Sequence, residues 1–141
     1  MANQQQVPNL QELDEQEAYR FLTDVFFAGP IPDPEVVYEA NHAEDYVMEM
    51  PQSGEAVRGR ENMRKFQEAY PGSPSIRVRR VLVRDGLWVA EVVNDYGGGR
   101  VYDVAMILEL KDGRICRDRR YYVEPFEAPE WRAQWVERVE F

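Results

Sequence analysis

The stretch IRVRRVLVRDGLWVAEVVNDYGGGRVYDVAMILELKDGRICRDRRYYV, residues 76–123, decides the fold. Ile76 to Arg84, Leu87 to Tyr96, Arg100 to Leu110 and Arg114 to Val123 are rich in Val, Ile, Tyr and Trp. Between them stand Asp85-Gly86, Gly97-Gly98-Gly99 and Asp112-Gly113. Glycine tolerates the positive φ that tight hairpin turns require, so Asp-Gly and Gly-Gly between β-rich runs predict an antiparallel four-stranded meander. Strands of about ten residues exceed the usual length, and a sheet of long strands must twist and curl.

Upstream the pattern changes period. Asn9 with Glu12 three positions later resembles a helix cap, and Ala18, Phe21, Leu22, Val25 and Phe26 recur at helical spacing. Gly29-Pro30 is expected to stop this helix. Asp33-Pro34 reads as a cap and first-turn proline for a second helix with Val36, Val37 and Ala40 inward. Tyr46 to Met50 suggests a short strand ended by Pro51, and a loop runs to Gly54. A third helix starts at Gly59, with Met63, Phe66 and Tyr70 on its buried face. Helices first and a long sheet last make an α+β fold, three helices packed on a curved, mostly antiparallel sheet. Residues 1–9 are expected to be a flexible N-terminus and residues 10–141 a single domain.

Composition limits the functions available. The chain of 141 residues carries a net charge of -9, divided as -11 through Glu55 and +2 beyond it. Phosphate binding needs a basic footprint, so no nucleic-acid partner is expected. Apolar runs such as Val104 to Leu108 are far shorter than the roughly 20 residues of a membrane span, and the polar, Gln-rich start has no signal-peptide character. With a single cysteine, Cys116, the expectation is a cytoplasmic protein that makes no contact with membranes. A single histidine, His42, cannot complete a zinc site with one cysteine, and no glycine-rich phosphate loop is present. No metal or other cofactor is expected. Any chemistry falls to carboxylates, Tyr, Arg or Asn.

Several segments carry a family resemblance. They are Ala43 to Pro51 before Arg58-Gly59-Arg60-Glu61-Asn62, then Lys111 to Ile115, and the ending Tyr122-Val123-Glu124-Pro125-Phe126 through Arg132. In this order they resemble the nuclear transport factor 2-like superfamily, the cone-shaped fold of ketosteroid isomerase, limonene epoxide hydrolase and the SnoaL-type polyketide cyclases. The ending, Pro125 to Arg132, resembles an uncharacterised SnoaL-like subgroup in particular. The resemblance implies a hydrophobic cone that binds a small molecule, with cofactor-independent acid-base chemistry such as isomerisation, cyclisation or hydration. The alternative is a non-catalytic ligand-binding or dimerisation module. By that comparison the isomerase base position falls on Met50, its tyrosine position near Leu22 and its oxyanion aspartate position near Met106, all apolar. The epoxide hydrolase set falls near Asn94, Val92 and Arg120 and is broken as well.

Period-2 alternation puts Asn94, Tyr102, Met106, Cys116, Asp118, Arg120 and Tyr122 on one face of their strands, and the resemblance implies that this is the inner face, because it continues the matched apolar positions. The expected catalytic groups are Asp118 as base, Arg120 as its orienter or as a ligand anchor, and Asn94 or Tyr122 as a hydrogen-bond donor. Tyr19, Tyr46, Met48, Met50, Tyr102, Met106 and Tyr122 are the expected ligand-binding lining. His42 could serve as a pocket base, but the simpler expectation for it is an exposed position at a helix C-terminus, and for Asp118 and Arg120 a surface ion pair near the mouth of the sheet. Glu91, Asp103, Glu109, Arg117 and Arg119, interleaved with apolar residues, form the outer face, for which a homodimer is expected. Pro129 followed by Trp131 and Trp135 suggests a short terminal helix over Glu130 to Val139.

Overall fold

The computed structural model describes residues 9–27, 34–70, 72 and 74–141. Its helices are α1 (Glu15–Phe21), α2 (Pro34–Asn41) and α3 (Arg60–Ala69). Its strands are β1 (His42–Met50), β2 (Glu55–Arg58), β3 (Ser75–Arg84), β4 (Leu87–Asp95), β5 (Val101–Lys111) and β6 (Arg114–Val123). They form one sheet in the order β2-β1-β6-β5-β4-β3. All neighbours are antiparallel except β1 and β6, which run parallel. The meander predicted from the Asp-Gly and Gly-Gly turns is β3 to β6, and the fold is α+β. Among the described residues no helix is long and apolar enough to cross a membrane.

Register shifts curve the sheet. They fall between His42 and Val47, Val78 and Arg80, and Glu109 and Leu110, and each extra residue bends its strand. The last shift corrects the reading of Cys116. Glu109 pairs with Arg117 and Leu110 with Ile115, so Cys116 is the bulged residue and Ile115 takes the inward position. The Cys116 thiol contacts the Glu109 carbonyl oxygen at 3.3 Å.

Local chemistry sets the helix starts. Asp14 accepts from the Glu17 backbone N–H at 2.8 Å while the Glu17 carboxylate accepts from the Asp14 N–H at 3.3 Å, a capping box that opens α1. Asn9 caps a preceding 3-10 turn, Leu10–Glu12, instead. After Phe21 the helix widens into a π-helical turn, Leu22–Phe26, closed by the Phe27 N–H on the Leu22 carbonyl at 2.8 Å. The expected stop at Gly29-Pro30, the cap at Asp33 and the flexible start, apart from Asn9, lie outside the described residues.

Three helix faces differ from expectation. On α1, Ala18, Phe21 and Leu22 set the buried face, which turns Tyr19 to solvent at 40% exposure, so Tyr19 does not line the cone. On α2, Val36 is exposed while Val37 and Ala40 are half-buried. On α3 only Met63 is buried, and Phe66 and Tyr70 are exposed. Strand β1 begins at His42 rather than Tyr46, and β2 occupies the residues after the expected loop. The terminal segment forms a 3-10 turn, Glu130–Trp135, in place of an α-helix.

The core fills the concave face, and its deep end is apolar. Leu10, Trp88, Leu108 and Ile115 are completely buried there, with the Phe21 ring edge-on to Trp88 at 5.9 Å. The N-terminal turn seals this end against the β5–β6 hairpin. Leu10 donates its N–H to the Gly113 carbonyl at 3.1 Å, and the Gly113 N–H donates to the Gln11 side chain at 2.6 Å. Gly113 has φ 76°, and a Cβ there would sit 2.8 Å from Asn9 Oδ1. Gly113→Ala is therefore expected to cost about 1 to 3 kcal/mol in urea unfolding, combining backbone strain with overpacking. Gly98→Ala, with φ 63° but open space around the new methyl, should cost less. Equal losses would count against the seal.

Candidate functional site

Two residues apart on β6, Asp118 and Arg120 point to the same inward face. Asp118 is 0% exposed and Arg120 6%, so the surface-pair expectation is overturned by burial beneath the helices. The Arg120 Nε donates to Asp118 Oδ1 at 3.0 Å and to Oδ2 at 3.1 Å, and Nη2 donates to Oδ2 at 2.6 Å. The parallel pairing of β1 with β6 sets Met48 beside Asp118 and brings Tyr46 within reach. The Tyr46 hydroxyl donates to Asp118 Oδ2 at 2.7 Å. Oδ2 thus accepts three hydrogen bonds and Oδ1 one. The remaining guanidinium N–H groups of Arg120 take no partner among the described residues. The Phe26 ring lies 5.8 Å from its central carbon.

Sequence reasoning carried a pocket role for His42 only as the alternative to an exposed helix end. As the first residue of β1 it is 4% exposed, not a solvent-facing helix end. Its ring stacks on Tyr38 at 4.6 Å and Phe26 at 5.7 Å, and meets Tyr46 edge-on at 4.6 Å. The Tyr38 backbone carbonyl is near enough to favour protonation, yet Nδ1 is buried and makes no contact of hydrogen-bond geometry among the described residues. The four-residue spacing Tyr38, His42, Tyr46 was the available signal, but it crosses from helix to strand.

Burial governs the electrostatics. It lowers the His42 pKa to about 4, with Arg120 and Arg60 acting the same way and Asp118 opposing, so the ring is neutral near neutral pH. Burial, then the Asp118 charge, pushes the Tyr46 phenol well above its ordinary value. For Arg120 burial pulls downward, but the Asp118 charge and hydrogen bonds outweigh it and hold the guanidinium charged.

Tyr102 and Tyr122 lie towards the other end of the same inner face. With Tyr70, Tyr96 and Arg100 they line a cleft of about 180 Å³. Tyr96 lies 5.7 Å from Tyr70 and 5.6 Å from Tyr102, ring centre to ring centre, and Arg100 stands 5.7 Å over Tyr96. Asn94 is buried below, its amide donating to the Tyr96 hydroxyl at 3.4 Å. Asn94 is therefore grouped with these tyrosines, not with Asp118. Tyr122 joins the two groups, since it follows Arg120 on the same face of β6.

Met48 and Met106 are fully buried in the core cluster, and Met50 packs half-buried at its edge. A larger depression, about 370 Å³, lies at the β1–β2 hairpin and includes Glu49, Arg119 and Tyr121. Its Glu49 and Arg119 are already paired: Glu49 meets Arg117 at 3.2 Å and Arg119 at 3.5 Å. Among the described residues no three His, Cys, Asp or Glu side chains form a group able to hold a metal ion.

The SnoaL-like domain profile matches residues 33–118. An NTF-2 like protein of unknown function from Burkholderia xenovorans LB400 is 33% identical, with 77% of this chain and 84% of that chain covered and a TM-score of 0.67. A protein from Kribbella flavida DSM 17836 described as a candidate ketosteroid isomerase is 27% identical, covering 89% and 87%, with a TM-score of 0.72. An LEH-like epoxide hydrolase of M. tuberculosis shares the fold at 19% identity, covering 77% and 84%, with a TM-score of 0.55. No curated protein matches the chain.

Proposed function

This chain belongs to the SnoaL-like domain family, and we propose that it binds a small hydrophobic molecule bearing a carbonyl or similar oxygen and performs cofactor-independent acid-base chemistry on it. The observation that carries this reading is the buried Asp118–Arg120 pair, bonded to Tyr46, on a mostly apolar face. Withdrawing two charges from water is costly, and a packed apolar pair of similar volume is often as stable. Buried charges beside perturbed groups concentrate at functional sites for this reason.

The ligand passes the tyrosine cleft and meets Arg120. A free guanidinium N–H donates to the ligand oxygen and stabilises negative charge developing there. Asp118 Oδ1, the less occupied oxygen, accepts a proton from the adjacent carbon and returns it to another position, which balances an isomerisation. Arg120 must shift aside for this, since it covers the carboxylate. Neutral His42, stacked on Tyr38 and Phe26, adds no second positive charge to compete for Asp118.

One observation favours a second reading, a receptor without turnover. Asp118 has no exposed surface and both its oxygens are engaged. Thermal unfolding against steroids, terpenoid epoxides, aromatic polyketides and short acyl acids tests both readings. A true ligand at about 100 times its Kd adds roughly 2.7 kcal/mol of stability. A selective shift that Arg120→Lys abolishes supports the site, and no shift with any compound class sinks it. With a ligand in hand, Asp118→Asn should lower turnover by about 10² or more if the carboxylate moves the proton. A ligand that binds but is never converted selects the receptor.

A further inference from the structure

After β6 the chain continues from Glu124 to Phe141 with only the 3-10 turn Glu130–Trp135, which buries none of its residues. Phe126, Trp131, Trp135 and Phe141 are all exposed, the two tryptophans at 74% and 72%. Large aromatic rings each bury about 150 to 250 Å² when packed, and monomers seldom leave that much apolar surface in water. The segment is also acidic, with Glu124, Glu127, Glu130, Glu137 and Glu140 against Arg132 and Arg138. None of these five glutamates is in an ion pair among the described residues.

The complementary surface lies at the far edge of the sheet. On β3, Arg77 pairs with Val93, Arg80 with Glu91, Leu82 with Val89 and Arg84 with Leu87, while Val78 and Val81 occupy the inner face. Arg77, Arg80, Leu82 and Arg84 therefore share the outer face, and all four are exposed. None of the three arginines has an ion-pair partner within 4.0 Å among the described residues; on this strand only Arg79 does, with Asp103 at 3.4 Å. β3 is an edge strand, separated from β6 by β4 and β5. The acidic aromatic segment leaves β6 exposed, and an unpaired basic strip with an apolar Leu82 stands three strands away.

We infer that residues 124–141 form a clasp that docks on the outer face of β3 in a second copy of this chain. Two-fold symmetry makes the exchange reciprocal, so both clasps bury their rings and both arginine strips gain carboxylates. Leu82, Tyr121 and Val123, exposed on the same outer face, supply apolar ground between the charges. This is independent of what the cone binds. It refines the homodimer expected from the outer sheet face by assigning the contact to a segment and a strand.

Sedimentation equilibrium at micromolar concentration reads it directly. The full chain should be a dimer. Trp131→Ser with Trp135→Ser should weaken dimerisation at least tenfold while far-ultraviolet circular dichroism stays unchanged. Arg77→Glu, Arg80→Glu and Arg84→Glu together should weaken it similarly, and adding Glu127→Arg, Glu130→Arg and Glu137→Arg to that variant should restore part of the loss. A monomeric full chain, or a dimer indifferent to the tryptophan changes, overturns the proposal. Loss through the tryptophans without loss through the arginines overturns the assignment to β3.

Discussion

Arg120→Met is expected to remove about 3 to 5 kcal/mol of stability, because it strands the Asp118 carboxylate in the core. Asp118 is 0% exposed, and its other bond is to the Tyr46 hydroxyl at 2.7 Å, one neutral donor for a full charge. The loss measures the isolated charge, not the worth of the pair. Asp118→Leu with Arg120→Met removes both charges and should recover most of the stability, although the Tyr46 hydroxyl then lacks an acceptor at a cost of about 1 to 3 kcal/mol. Adding Tyr46→Phe should bring the triple variant near the parent. Urea unfolding of the series decides it. A single-variant loss below about 1 kcal/mol would mean that water reaches the pair, and would remove the observation on which the proposed function rests.

That Asp118 and Arg120 share one face was legible because alternation on a strand is a local property, and the resemblance turned that face inward. Their burial was not, since it depends on β1 lying parallel to β6 and on Tyr46, 72 residues away in sequence. The meander was legible for the same local reason, as Asp-Gly and Gly-Gly turns announce hairpins without reference to the rest of the chain. Strand β2 escaped notice because Glu55–Arg58 is four residues long, mostly exposed and without alternation. Cys116 misled by one position, since a bulge leaves no mark in composition and displaces a side chain from its expected face. Tyr19 misled through helix phase: expected in the lining, it stands beside Ala18 in sequence, but Ala18, Phe21 and Leu22 decide which side faces the sheet. His42 was the costliest error, because the boundary between α2 and β1 falls on it, and a residue at that junction reads equally as a solvated helix end.

His42 also gives the protein a stability that depends on pH in a defined window. Its folded pKa is about 4, against an ordinary value of 6.5 in the unfolded chain. Between these values the unfolded state binds the extra proton, so stability rises with pH through the window. The contribution is fully present above pH 6.5 and is lost as pH falls to about 4, a change of about 3 kcal/mol by linkage. The groups facing the ring account for the sign. Tyr38, Phe26 and Tyr46 exclude water, Arg120 and Arg60 repel the imidazolium, and the Asp118 charge, already shared with Arg120 and Tyr46, only partly offsets them. The difference between parent and His42→Phe isolates the histidine's share. Phenylalanine keeps the stacking and cannot take a proton, and the variant should gain on the parent steadily from pH 6.5 down to 4. Because the chain has one histidine, its ring resonances report the folded pKa without assignment. Parallel stability curves, or a ring that titrates near 6.5 in the folded protein, would return His42 to solvent and break the stacked cluster that shields Asp118 and Arg120.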